Sequence, residues 1–366
     1  MSDPTPMKSP SLQPIWTIAA PIVGWLIIVG YRFDFGNAYA LVVAVGLFGC
    51  VMAAVHHAEV VAHRIGEPFG TLVLAMAVTV IEVALIVSLM LAGGEATSAL
   101  ARDTVFAAVM IILNGIVGLC LLLGGTRFGE QSFGLYGVSA SLATLAAIVV
   151  LTLVLPNYTT TVAGPVYSAS QLAFVAVVAL LLYGAFVFVQ TVRHREYFLS
   201  RDPDDGHGID TPPPTLWIAW RSGIALLVSL AAVVLLAKVV SPYVEMGVAA
   251  MRAPHALVGV IIATVVLLPE GLAAVRAARA NRLQTSLNLA LGSALASIGL
   301  TIPTVAVVSL VTGWTLTLGI DAKSTVLLVL SLMVASMSLG TGRTTVLQGA
   351  VHLVIFAVYL ETTVIP

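Results

Sequence analysis

The chain has 366 residues, of which 59% are hydrophobic and only 9% charged, against roughly 25% charged in an ordinary soluble domain. That excludes a water-soluble globule. Sixteen basic and seventeen acidic side chains leave a net charge of −1 with no basic block, which excludes nucleic acid as a partner. Cys50 and Cys120 both lie inside apolar stretches, so they read as small core residues with no disulfide framework.

The apolar residues fall in runs of about 20, the length of helix that crosses a hydrocarbon layer roughly 30 Å thick. Breaks at charged, Pro and Gly clusters predict spans near 14–30, 39–56, 69–92, 104–125, 134–155, 169–192, 217–240, 254–279, 284–311, 324–340 and 344–361. Strand-like alternation is absent, so the fold class is all-α and polytopic, with about eleven membrane helices rather than a barrel. The first run lacks a small-residue cleavage site and reads as a retained helix. Lys and Arg distribute unequally between the loops: Lys8, Arg64, Arg127, Arg193, Arg195, Arg201, Arg221, Arg276, Arg279, Arg282 and Arg343 fall on the side of the N-terminus. Arg32, Arg102, Lys238, Arg252 and Lys323 fall on the other, so the positive-inside rule predicts a cytoplasmic N-terminus. The acidic, proline-rich stretch 193–216 reads as a cytoplasmic linker. The expected organisation is a tail and extra helix over 1–38, a first five-helix unit over 39–192, the linker, and a second five-helix unit over 217–366.

Each unit has one helix with a carboxylate near its middle, Glu82 in the first and Glu270 in the second. An ionised side chain at that depth costs about 2.5–3.5 kcal/mol on insertion scales, so each needs a cavity or a partner rather than lipid. The two helices share a pattern, GEPFGTLVLAMAVTVIEVAL from Gly66 and APHALVGVIIATVVLLPEGLAAV from Ala253. The following helices match more weakly, TVFAAVMIILNGIVGL from Thr104 against SLNLALGSALASIGLT from Ser286, which sets Asn114 opposite Ala296. Units of five spans must enter the membrane from opposite sides, so the duplication implies inverted repeats in which Glu82 and Glu270 meet near the midplane.

The strings GEPFGT…TVIEVALI and LLPEGLAAV…SLNLALGSALASIGLTIP resemble the two alpha-repeats of the cation/calcium exchanger superfamily, specifically its bacterial calcium/proton antiporters of the ChaA-like type. The resemblance implies ten core helices in two inverted halves and alternating-access exchange of a cation against protons across the bacterial inner membrane. It also implies that Glu82 and Glu270 are the cation and proton ligands. Relatives in the wider superfamily often have Asn three positions before each acid, where this chain has Thr79 and Leu267. Thr79 still offers an oxygen; Leu267 does not, and Thr264, one turn further back, is the substitute.

The chemistry of two buried acids leads the same way. Ca²⁺ wants six to eight oxygen ligands, available from Glu82, Glu270, Thr79, Thr264, Asn114, Ser293 and Ser297, and from carbonyls loosened where Pro269 removes an N–H and crowds Val265. Two carboxylates at low dielectric cannot both stay ionised without a cation, so an empty pair takes up protons, and competition between metal and protons for one place is the core of antiport. The expected partners are therefore Ca²⁺ and protons, with Na⁺ or K⁺ as the alternative cations, within the lipid bilayer. Asn114, Ser293 and Ser297 also fit interhelical hydrogen bonding, and Thr79 and Thr264 also fit bonding to their own helices.

His56, His57, Glu59, His63 and Glu67 cluster between the second and third spans, where Glu67, His63 and Glu59 are candidates for a cytoplasmic vestibule. The spacing is not HExxH. Asp202 to Asp210 lacks the ligand spacing of a calcium loop, and His352 and Glu361 read as peripheral. No cofactor is expected, and no phosphate loop of the type GxxxxGK[ST] is present. The competing classes are an intramembrane metal-dependent hydrolase using the histidine cluster and a passive channel without proton coupling.

Overall fold

The structure, a computed structural model, describes residues 14–31, 38–66, 69–199, 213–250, 254 and 256–365. These form eleven long helices: α1 (Ile15–Gly30), α2 (Ala38–Ile65), α3 (Phe69–Gly93), α4 (Leu100–Phe128), α5 (Leu135–Tyr158), α6 (Ala169–Arg193), α7 (Leu216–Ala250), α8 (Ala256–Arg279), α9 (Leu283–Thr312), α10 (Ala322–Leu339) and α11 (Val346–Val364). Each corresponds to one predicted span. Among the described residues, nine of them are long and apolar enough to cross a membrane. The chain is a multi-pass α-helical membrane protein.

Several helix ends are set by local chemistry. Ser168 caps α6 and Thr345 caps α11, each in a reciprocal capping box with a glutamine three residues on. The Asp321 carboxylate accepts from the Ser324 N–H at 2.7 Å to start α10. Inside α4 the ladder widens to a π turn over Ile111–Ile116, a feature that the apolar sequence does not announce. The loosening expected before Glu270 is not seen. α8 runs unbroken through Pro269, which is buried within it, because the neighbouring helices hold the segment although the proline withholds one N–H.

The packing is reciprocal between the halves. α3 lies against α9 as α8 lies against α4, and α6 lies against α9 as α11 lies against α4; α2 with α7 and α4 with α9 pair across the axis. The connections agree with alternate crossing. At one end of the bundle the two-residue strand Gln131–Ser132, before α5, pairs antiparallel with Arg343–Thr344, before α11. At the other, Val166 bridges Thr317, and Asn157 Nδ2 donates to the Ile320 carbonyl at 2.7 Å. Two halves of five helices in opposite orientation are the inverted repeats that the sequence implied. α1 stands outside them, packed on α2 and α7. With 16 residues it is shorter than a typical span.

Two large hydrophobic clusters, with a small third one of Cys120, Ala274 and Ala278, form the interior of the described residues. The larger is built mainly on α4, α5, α6, α9, α10 and α11; the smaller joins α1, α2 and α7. α3 and α8 contribute to both: Ile86 and Leu267 face the larger, Ile81 and Val266 the smaller. The two helices that bear Glu82 and Glu270 thus sit at the seam between two packed bodies.

Candidate functional site

Glu82 on α3 and Glu270 on α8 are both brought against one face of α9. The Ser297 hydroxyl donates to Glu82 Oε1 at 2.6 Å, and the Ser293 hydroxyl donates to Glu270 Oε2. Ser293 and Ser297 are one helical turn apart, so their side chains stand about 5–6 Å from each other. The two carboxylates they hold therefore share a single small region and feel each other's charge. Glu82 is only 2% exposed, and both serines are buried, whereas Glu270 is half-buried. α9 admits two helices this closely because its sequence around the serines, LALGSALASIGL, is rich in small residues that let backbones approach.

The other sequence candidates are placed differently. Thr79 is buried one turn before Glu82, with its hydroxyl given to the Ala75 carbonyl at 2.9 Å. Thr264 gives its hydroxyl to the Val260 carbonyl at 2.7 Å and is exposed. Asn114 is fully buried, but its amide is engaged with α10 and α11: Nδ2 donates to Ser331 Oγ at 2.8 Å, and Oδ1 faces His352 Nδ1 at 3.2 Å. His352, which the sequence suggested to be peripheral, has no exposed surface at all. It lies four residues from Phe356 on the face of α11 that meets α4, a placement that one residue in an apolar span does not reveal.

His56, His57, Glu59 and His63 lie in the last turns of α2. His57 is buried with Nε2 3.2 Å from the Thr17 carbonyl of α1, and the His56 ring lies tilted against Trp16, 5.8 Å between centroids. These two rings belong to the seat of α1. Glu59 and His63 are exposed, with Glu59 in electrostatic reach of Arg276. Glu67 lies outside the described residues, as does the stretch Asp202 to Asp210. Among the described residues, no group of three or more His, Cys, Asp or Glu side chains is arranged to hold a metal.

Inverted repeats that bring one buried and one half-buried acid together at a helix seam are the arrangement of a secondary transporter of ions. The sequence profile of the sodium/calcium exchanger protein family matches residues 35–192 and 222–364, and the chain belongs to that family. It is 49% identical to the protein y4hA of Sinorhizobium fredii over 357 residues, covering 96% of this chain and 97% of that one. It is 38% identical to the sodium-potassium/proton antiporter ChaA of Escherichia coli over 331 residues, covering 89% and 88% respectively. Its fold is similar to that of YfkE, a Ca²⁺/H⁺ antiporter, with a TM-score of 0.73 at 17% identity over 96% of this chain and all of that one. The family match begins after α1, in agreement with the position of that helix outside the repeats.

Proposed function

We propose that this protein exports Ca²⁺ across the bacterial inner membrane in exchange for protons, with its N-terminus in the cytoplasm, and that Glu82 and Glu270 carry either the ion or the protons. The observation that carries the reading is the pair of serine hydroxyls one turn apart on α9, each holding one of the two acids. Four carboxylate oxygens and two hydroxyls make six donors, the lower end of what Ca²⁺ requires, and two negative charges balance one divalent ion. When the ion leaves, the same carboxylates are driven to take up protons by burial and mutual repulsion. The hydroxyl protons that point at the acids in this structure turn away when a cation takes their place. Charge balance at this site then gives one Ca²⁺ for two protons, with no resident cofactor.

A second reading, Na⁺ or K⁺ exchange, is favoured by the name of the Escherichia coli relative. A monovalent ion leaves one of the two acids protonated, so one proton moves per ion. Thr79, Thr264 and Asn114 stand as outer members of the set, since their polar atoms are committed elsewhere. The test is pH-gradient-driven uptake by reconstituted vesicles, comparing Ca²⁺, Na⁺ and K⁺ while proton release is followed. Ca²⁺ uptake with about two protons released per ion supports the first reading. Uptake of Na⁺ or K⁺ alone, with about one proton per ion, replaces it with the second.

A further inference from the structure

The π turn of α4 is gripped from one side and pressed on the acid helix from the other. On the first side, Ser331 Oγ gives its own proton to the Leu327 carbonyl at 2.7 Å, so it must accept from Asn114 Nδ2. That fixes the amide with Oδ1 toward His352, and Nδ1 of the imidazole carries the proton shared with it. The ring also reaches the Leu113 backbone in the same turn. Nε2 is buried with no hydrogen-bond partner, so the ring is anchored through Nδ1. Phe356, four residues along α11, lies 3.3 Å from where a side chain on Gly115 would begin. Two residues on from Asn114, and therefore on the opposite face of the turn, Ile116 packs 3.2 Å from where a side chain on Gly271 would begin. Gly271 directly follows Glu270.

We propose that His352 is a positioning residue for the cation site: its Nδ1–H bond to Asn114 sets where the π turn presses on Gly271, and so where the Glu270 carboxylate stands. α9 meets both acids directly, Glu82 through Ser297 and Glu270 through Ser293, and the π turn adds a second, indirect hold on Glu270 through Gly271. π turns inside α-helices are frequent at functional sites; the described residues have two others, over Val150–Val154 and Val189–Arg193, and this one links α11 to the acid-bearing α8. The proposal rests on the reading of Glu82 and Glu270 as the exchange site.

The two fail separately in one experiment. Asn reproduces the Nδ1–H donor of His, Gln places its donor where Nε2 lies, and Leu has none. In vesicles driven by a pH gradient, with Ca²⁺ and in parallel Na⁺ as the probe ion, His352→Leu and His352→Gln are expected to raise the KM for the transported cation about tenfold, the size of one lost buried hydrogen bond. His352→Asn is expected to stay within about twofold of the parent. Equal KM values in all three variants overturn the proposal, and so does an equal loss in Asn and Gln. If His352→Leu does not fold, the comparison of Asn with Gln decides alone. Glu270→Gln is run alongside. Abolished transport there, with an unchanged KM in His352→Gln, removes only the positioning role; retained transport there removes the site reading itself.

Discussion

Ser297 and Ser293 have the same chemistry but different settings, and the difference is testable. Ser297 holds an acid that is nearly sealed from solvent, whereas Ser293 holds one that is half-buried. Removing the hydroxyl from Ser297 takes away one of the six oxygen donors that the proposed site offers the ion. Ser297→Ala is therefore expected to weaken cation affinity by about tenfold or more, read as the KM of transport. Thr79→Val is expected to change it by less than about threefold, because that hydroxyl already serves its own helix. Both acids were legible from their matching places in the duplicated helices; the serines were legible only as nearby oxygen donors, since the same superposition sets Gly115 opposite Ser297. The spare threonines were not separable from ligands in the sequence, since a Thr one turn from an acid looks the same whether it faces the ion or bonds the carbonyl four residues back. His352 was misread because the face of a uniformly apolar helix that meets its neighbour has no hydropathic mark.

Among the helices, α10 and α11 make predictions of their own. Asp321, at the start of α10, loses some ease of ionisation to burial, but the two Ser324 hydrogen bonds and the charges of Lys323 and Arg102 outweigh that and hold its carboxyl below the usual value. A carboxyl lowered by folding stabilises the protein above the unfolded-state value, and loses that contribution as the pH falls through the folded-state one. Asp321→Ala is accordingly expected to cost about 0.5–2 kcal/mol at neutral pH and progressively less in acid, as followed by thermal unfolding in detergent. At the α4–α11 contact, a side chain on Gly349 would meet the backbone of Leu122 at 2.3 Å. Gly349→Val is expected to destabilise by about 1–3 kcal/mol, read as a lowered melting temperature in the same assay. Helix existence was readable from the length of each apolar run. The π turn was not, because Ile, Leu, Asn and Gly there suit either ladder, and the choice is made by what α8, α10 and α11 press against it.

At the scale of the molecule, the acid-bearing helices α3 and α8 lie between the cluster of α1, α2 and α7 and the larger cluster of the other helices. In the exchange proposed above, relative movement of those two bodies is what would change access to the acids. α1 belongs to the smaller body and covers Cys50, whose thiol points to the Ala20 carbonyl at 3.5 Å. Deleting residues 1–30 is expected to leave pH-gradient-driven transport above about half of the parent's, while making Cys50 reactive toward a membrane-permeant maleimide. Retained protection of Cys50 would mean that α1 is not its cover. The inverted duplication was legible because Glu82 and Glu270 sit in matching helices; the seam between two bodies was not, because it depends on which side of each helix is packed. The most direct test of the central claim is to count protons released when Ca²⁺ is added to the detergent-solubilised protein in weakly buffered medium. About two protons per bound ion are expected from the parent and none from the Glu82→Gln, Glu270→Gln double variant. Ca²⁺ binding without proton release, or equal release in the double variant, would contradict it.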